Sequence, residues 1–291
     1  MNILEAIGNT PLVRIGSVWA KLETANPTGS IKDRMAWHMV RRAEARGELK
    51  PNSDIIELTS GNTGVSFAMI SAVRGYKFTA VMPESMSAVK QRMMTAFGAK
   101  LVLTPAKDDM AGALKRYEAL AEQNPSAWLP KQFENPDNIK CHREELGKEI
   151  LEQMNGDVDA FVAGIGTGGT LIGVAQALER INPNVRIIGV EPAECAVLSG
   201  GKPGLHKIEG IGEGFVPKLV QEHRYAIDEV VAIKSGDAIA MAKELARKHG
   251  MLVGISSGAN ILAAQAAAKK YKRVVTVLPD SGDRYLELLA T

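Results

Sequence analysis

The 291-residue chain carries 35 basic and 33 acidic side chains, a net charge of +2, with both signs mixed along its length, which argues against a nucleic-acid face or an acidic solvating tail. Its length suits two lobes of ordinary size better than one small core. The two cysteines, Cys141 and Cys195, give no disulfide framework and no metal-ligand spacing. A soluble, unprocessed protein of the reducing cytoplasm, with no metal, no membrane span and a small-molecule partner, is therefore expected.

The first informative segment is Asn26-Pro27-Thr28-Gly29-Ser30-Ile31-Lys32-Asp33-Arg34, which sets a lysine on a tight glycine turn. From there strands and helices alternate, the pattern of a parallel sheet with helices on its faces. A strand is expected over 54–58, a turn over 59–64 and a helix over 65–73 stopped by Gly75; a strand over 77–82, a helix over 87–97 and a strand over 100–104 follow. After a helix over 108–122, Asn124-Pro125 and Asn135-Pro136-Asp137-Asn138 punctuate the chain, and a lobe boundary is placed near 135–140. Beyond it come a helix over 141–154, an apolar strand over 160–163, a glycine turn, a helix over 171–181 and a buried strand over 185–190. Residues 191–217 read as a long cover loop. Ser235 caps a helix to Lys248, an alanine-rich helix opens at Gly254-Ile255-Ser256-Ser257-Gly258, and a last strand covers 273–278.

Four of these turns could carry chemistry. Gly166, Thr167, Gly168, Gly169 and Thr170 lie between an apolar strand and a helix start, where free backbone N–H groups and the helix dipole favour a phosphate. Their spacing is not the dinucleotide fingerprint, because the glycines crowd together and the acidic residue about 20 positions on, Glu191, is followed at once by a proline. A glycine turn used only for close packing is the alternative. Thr59, Ser60, Asn62 and Thr63 share that context but offer more hydroxyls, which suits a carboxylate; ordinary helix capping is the alternative there. Lys32 has Ile31 and Met35-Ala36-Trp37 near it, and burial lowers a lysine's pKa and frees the amine to attack an aldehyde. Ser256 could face a pyridine nitrogen or merely cap its helix. Together the turns suggest pyridoxal phosphate chemistry on an amino acid. The methionines, including Met110, read as core filler, and His142 and His249 as surface or helix-end residues.

With Ile7-Gly8-Asn9-Thr10-Pro11-Leu12, Met82-Pro83-Glu84-Ser85-Met86-Ser87, Gln132-Phe133-Glu134-Asn135-Pro136, Ile208-Glu209-Gly210-Ile211-Gly212 and Asp283-Arg284-Tyr285-Leu286 added, the sequence resembles, nearly end to end, the cysteine synthase family. These are the O-acetylserine sulfhydrylases among the fold-type II pyridoxal phosphate enzymes. The resemblance implies an α/β protein of two lobes, each a largely parallel sheet flanked by helices, with pyridoxal 5'-phosphate in the cleft. Residues 35–137 would form the smaller lobe, and 1–34 with 138–291 the larger. Lys32 would bind the cofactor covalently and act as the catalytic base. Asn62 would meet its 3-hydroxyl oxygen, Gly166, Thr167, Gly168, Gly169 and Thr170 its phosphate, and Ser256 its ring nitrogen. Thr59, Ser60, Asn62, Thr63 and Gln132 would take the substrate carboxylate. The implied reaction is β-replacement on O-acetylserine by sulfide to give L-cysteine, in a homodimer that could dock a serine acetyltransferase. Glu213 stands where the family has a small or apolar residue. It keeps open a cystathionine β-synthase-type reaction, with the carboxylate meeting the ammonium of homocysteine; a non-catalytic regulatory or scaffolding homologue is a third reading.

Overall fold

The computed structural model describes residues 2–59 and 61–290. In chain order its strands and helices are β1 (Leu12–Ile15), β2 (Val18–Leu22), α1 (Lys32–Ala45), β3 (Asp54–Leu58), α2 (Asn62–Arg74), β4 (Lys77–Pro83), α3 (Ala88–Ala96), β5 (Lys100–Thr104) and α4 (Asp109–Gln123). Then come α5 (Asp137–Cys141), a π-helical turn (His142–Leu146), α6 (Gly147–Gln153), β6 (Ala160–Gly164), α7 (Gly169–Leu178), β7 (Arg186–Pro192) and α8 (Lys218–Glu222). The chain closes with β8 (Glu229–Ile233), α9 (Ser235–His249), α10 (Ile255–Ala267), β9 (Val274–Leu278) and α11 (Leu286–Leu289). No helix is long and apolar enough to cross a membrane among the described residues.

The strands form two sheets. A six-stranded sheet runs in the order β1-β2-β9-β6-β7-β8, and a three-stranded one in the order β3-β4-β5. Every pairing is parallel except the β1–β2 hairpin. The apolar run Ala160-Phe161-Val162-Ala163 explains why β6 is central: successive side chains point to opposite faces, and both faces are covered. Ala160 and Val162 join the core under α9 and α10, whereas Phe161 and Ala163 join the core under α7. In the smaller sheet Ile55, Phe78 and Met82 face α1 and α2, while Ile56 and Val81 face the other way with Ala113 of α4. The alanines of α10 let it lie very close to α9; a Cβ on Gly258 would sit 2.1 Å from the Ala238 carbonyl oxygen.

Most of the expected elements are present, and the differences have physical causes. Helix α2 begins at Asn62, three residues before the expected start, so Asn62 and Thr63 lie on its first turn. The helix expected over 141–154 starts at Asp137, inside the expected lobe boundary, and is interrupted by the π turn. Strands β1, β2 and β8 and helix α1 were not foreseen. β8 is a half-buried strand at the sheet edge and lacks a strong apolar signal. β2 conceals a charge, since Lys21 is wholly buried within it.

Lys21 belongs to a buried ionic network beneath α1. Arg34, also wholly buried, pairs with Glu23 at 2.7 Å and with Glu149 at 2.6 Å, and Lys21 reaches Glu149 at 2.7 Å. The Thr10 hydroxyl donates to Glu23 and its carbonyl accepts from Lys21. Two cations and two carboxylates thus balance across β2, α1 and α6. Burial alone would raise the Glu149 carboxyl, but the hydrogen bonds and charges of Arg34 and Lys21 outweigh it and hold it at about 2. Because this value lies below the ordinary 4.5, the stabilisation is present above the unfolded-state pKa and is lost as pH falls through the folded one. Thermal melting between pH 6 and pH 2 should therefore show a loss on the order of 2 kcal/mol from this group, allowing for partial solvent screening. Glu149→Gln should already melt lower at pH 7, because two buried cations lose a partner, and should show a shallower acid limb.

Candidate active site

The C-terminal ends of parallel strands from both sheets open onto one cavity of about 370 Å³. Crevices at such strand ends are where open α/β sheets bind ligands. Lys32 lines it, together with the turns after β3, β6 and β9.

Lys32 is the first residue of α1. The chain reaches it through a turn in which Gly29 adopts φ +74°, a left-handed conformation that glycine tolerates without Cβ strain. The turn is pinned to the segment after β9: Ile31 N–H donates to the Pro279 carbonyl at 2.8 Å and Ser281 N–H to the Gly29 carbonyl at 3.0 Å. On its other side Asp33, wholly buried, accepts from Thr28 N–H (2.7 Å), Thr28 Oγ1 (2.6 Å) and Ser66 Oγ (2.6 Å), which ties the turn to α2. Burial pushes the Lys32 ammonium below its usual pKa, partly offset by the carboxylates of Glu213 and Asp280. The N-terminal end of α1 disfavours a cation there as well.

The glycine turn after β6 is the first candidate anion site. Gly166, Thr167 and Gly168 line the cavity ahead of α7, and their backbone N–H groups have no acceptor among the described residues. No side chain larger than hydrogen fits at Gly166 or Gly169. A Cβ would lie 2.3 Å from the Gly210 carbonyl oxygen at Gly166 and 1.9 Å from Asn138 Oδ1 at Gly169. Asn138 braces the loop by donating to Thr167 Oγ1 at 3.0 Å and to the Gln132 carbonyl at 2.8 Å. Thr170 Oγ1 lies 3.3 Å from His142 Nε2. His142 is thus not a surface residue: it is buried under the loop, and burial first, then the charges of Lys32, Arg34 and His38, keep it well below the usual imidazole range and neutral.

The turn after β3 is the second candidate site, at the N-terminus of α2. Thr59, Asn62, Thr63 and Gln132 line the cavity; Ser60 lies outside the described residues. Thr59 Oγ1 accepts from the N–H groups of Gly61 (3.3 Å) and Gly64 (3.1 Å), the capping role weighed from sequence, and its own hydroxyl proton remains available. Thr63 donates to Gln132 Oε1 at 2.7 Å. Gln132 is held in turn by Glu57, a fully buried carboxyl that accepts from the N–H groups of Lys131 and Gln132 and that burial pushes up to about 8.

Sequence reasoning overlooked Asp280. Its Oδ2 accepts from Asn62 Nδ2 at 2.7 Å and from the Tyr285 hydroxyl at 2.6 Å, and Arg284 donates to both Asn62 Oδ1 and the Thr28 carbonyl. Asp280 Oδ1 is buried without a partner. A carboxylate in a Pro-Asp-Ser-Gly turn looks like turn chemistry from sequence, so no local signal marked it. Met110, expected in the core, is partly exposed and lines the cavity. Ser256, buried on the first turn of α10, lines it too. Away from the cavity, His38, Cys141 and Glu145 are close enough together to hold a metal ion. Glu145, however, already pairs with Arg41 at 2.7 Å, and burial raises the Cys141 thiol well above its usual pKa.

The residues fit pyridoxal 5'-phosphate. An amine disfavoured as an ammonium faces a cavity that also holds free N–H donors at a helix N-terminus and a buried hydroxyl, and the glycine positions leave the room that a phosphate needs. Gly169→Ala should force Asn138 aside. We expect a destabilisation of about 1–3 kcal/mol and at least a roughly tenfold weaker hold on the cofactor, measured by equilibrium dialysis.

Residues 3–280 match the family of pyridoxal-phosphate dependent enzymes. A cysteine synthase of Staphylococcus aureus is 45% identical over 98% of this chain and 95% of its own length. Among solved structures, the cysteine synthase of Entamoeba histolytica superposes with a TM-score of 0.95 at 40% identity, covering 100% of this chain and 90% of that one. The O-acetylserine dependent cystathionine beta-synthase of Helicobacter pylori has a TM-score of 0.93 at 39% identity, covering 99% and 97%. A cavity that a desolvated lysine and two helix N-termini share, with a family match spanning almost the whole sequence, makes this chain a member of the pyridoxal-phosphate dependent enzymes.

Proposed function

We propose that the chain catalyses β-replacement on O-acetylserine by sulfide, giving L-cysteine and acetate. One observation carries this reading: Lys32, its ammonium disfavoured by burial, shares a cavity with two anion sites at separate helix N-termini. That is what an amino-acid substrate and a phosphorylated cofactor require together. The cysteine synthases among the relatives support it.

Bound there, pyridoxal phosphate supplies an electron sink for the negative charge that develops at Cα. Gly166 to Thr170 would hold its phosphate, Ser256 its ring nitrogen, Asn62 its 3-hydroxyl oxygen and Lys32 its aldehyde carbon. A serine hydroxyl carries no negative charge, so it leaves the ring nitrogen largely unprotonated, which suits elimination across Cα–Cβ better than transamination. Thr59, Asn62 and Thr63, with Ser60 and Gln132, receive the substrate carboxylate at the positive end of α2. Lys32 Nζ, once freed, takes the proton from Cα and returns it to Cα after sulfur has bonded to Cβ.

Residues 35–137 are read as a smaller lobe that closes over the donor and keeps water out. Its sheet, β3-β4-β5, carries the carboxylate turn, and the ion pair Lys90–Glu209 at 2.5 Å already spans the cleft. A homodimer in a reducing cytoplasm, able to dock a serine acetyltransferase, follows from the likeness to cysteine synthases; both cysteines are free and buried. A scaffolding role alone would give no reason to keep the Lys32 amine facing the cavity.

Purified protein loaded with the cofactor should form L-cysteine from O-acetylserine and sulfide, faster than from serine or O-phosphoserine. Lys32→Ala should lower turnover by at least about 10³-fold. Equal turnover in the variant would contradict the assignment.

A further inference from the structure

Asp280 and Arg284 carry opposite charges in the segment after β9, and both are buried. Two such groups ordinarily meet directly, because each charge left alone away from water is costly. Among the described residues these two form no ion pair, and the Asn62 carboxamide stands between them instead: Arg284 donates to its Oδ1, and its Nδ2 donates to Asp280 Oδ2 at 2.7 Å. Other contacts hold the two charges in place. Asp280 Oδ2 also accepts from the Tyr285 hydroxyl at 2.6 Å, and Arg284 donates to the Thr28 carbonyl. A Cβ on Gly254 would lie 2.0 Å from Asp280 Oδ1, so the carboxylate fills a slot that only glycine leaves open.

A carboxamide has two ends of nearly the same shape and opposite hydrogen-bonding character. Alone, it turns over at little cost. Between these neighbours a reversal would set Oδ1 against the carboxylate and Nδ2 against the guanidinium, so a single orientation is fixed. Nδ2 carries two N–H groups, and Asp280 takes one. The second has no acceptor among the described residues, on a side chain that lines the cavity beside Lys32. Arg284, by drawing electron density toward Oδ1, makes that N–H a stronger donor.

We propose that Asp280 and Arg284 are positioning residues that hold the Asn62 carboxamide with its free N–H toward the 3-oxygen of the cofactor, and so favour the ionised form of that oxygen. This rests on the assignment of Asn62 to the 3-hydroxyl oxygen and gives that contact its direction. A hydrogen bond donated to a charged form favours it, whereas an amide turned over would present a lone pair and favour the protonated form. Both residues act through Asn62.

The ratio of the long- to the short-wavelength absorption band of the holoenzyme reads the ionised against the protonated 3-oxygen. Asp280→Asn and Asp280→Leu both remove the charge, but only the asparagine keeps an oxygen that accepts from Asn62. The lock predicts a ratio at least roughly threefold lower in Asp280→Leu than in Asp280→Asn, with Asp280→Ala matching leucine and replacing it where the leucine variant does not fold. Equal ratios across these neutral variants overturn the proposal, even where the cofactor-free proteins melt at different temperatures, since a purely structural role would change melting alone. Asn62→Ala separates the lock from the assignment beneath it. If Asn62→Ala shifts the ratio while the Asp280 variants agree, the lock alone fails; if Asn62→Ala keeps the native ratio, the assignment fails with it. Neither readout needs turnover, so a failure to form cysteine from O-acetylserine and sulfide counts against the β-replacement reading and leaves the lock to be decided by absorbance.

Discussion

A lysine ammonium is costly to keep where water reaches it poorly, and the cleft is organised around that cost at Lys32. The amine stands at the start of α1, where both burial and the helix dipole act against its charge. Such a position persists only if the backbone beneath it cannot relax. Three sets of contacts prevent relaxation: Asp33 bonded to Thr28 and Ser66, the backbone bonds to Pro279 and Ser281, and the balanced network of Arg34, Lys21, Glu23 and Glu149. Burying four charges contributes little net stability, because desolvation offsets most of the attraction. Its consequence here is positional, since Arg34 is locked two residues from the amine.

The same logic divides the cleft. Each sheet presents a helix N-terminus to the cavity, α7 from the larger and α2 from the smaller, and each such end favours an anion. The α7 side is built from backbone and needs glycine at 166 and 169, because the Gly210 carbonyl and Asn138 leave no room for a Cβ. The α2 side is built from side chains and is anchored at depth by Glu57 through Gln132. Asn62 joins the two sheets through Asp280 and Arg284. A change in the placement of the smaller sheet is thereby felt at the lysine turn, where Arg284 also reaches the Thr28 carbonyl.

Strong local signals made most of this legible in the sequence. The apolar runs of β6, β7 and β9 and the glycine turns that bound them are enough to give the fold class and to mark the two turns that line the cavity. What escaped depends on tertiary partners. Lys21 looks like a surface residue until Glu149, 128 positions away, is brought to it. His142 reads as a helix-end residue until α7 covers it, and Asp280 as turn chemistry until Asn62 arrives from 218 positions away. Helix α1 is hidden in the sequence because its start reads as a turn around Lys32, and β8 because a half-buried edge strand shows little alternation. Gln132 was reached through family likeness alone; its hydrogen bond to Thr63 is long-range and leaves no mark in local composition.

The central claim is that the amine at position 32 holds the cofactor. Borohydride reduction of the holoenzyme followed by peptide mass spectrometry tests it most directly. The pyridoxyl mass is expected on the peptide containing Lys32 and on no other. A label on a different lysine, or none on a protein that demonstrably binds the cofactor, would contradict it.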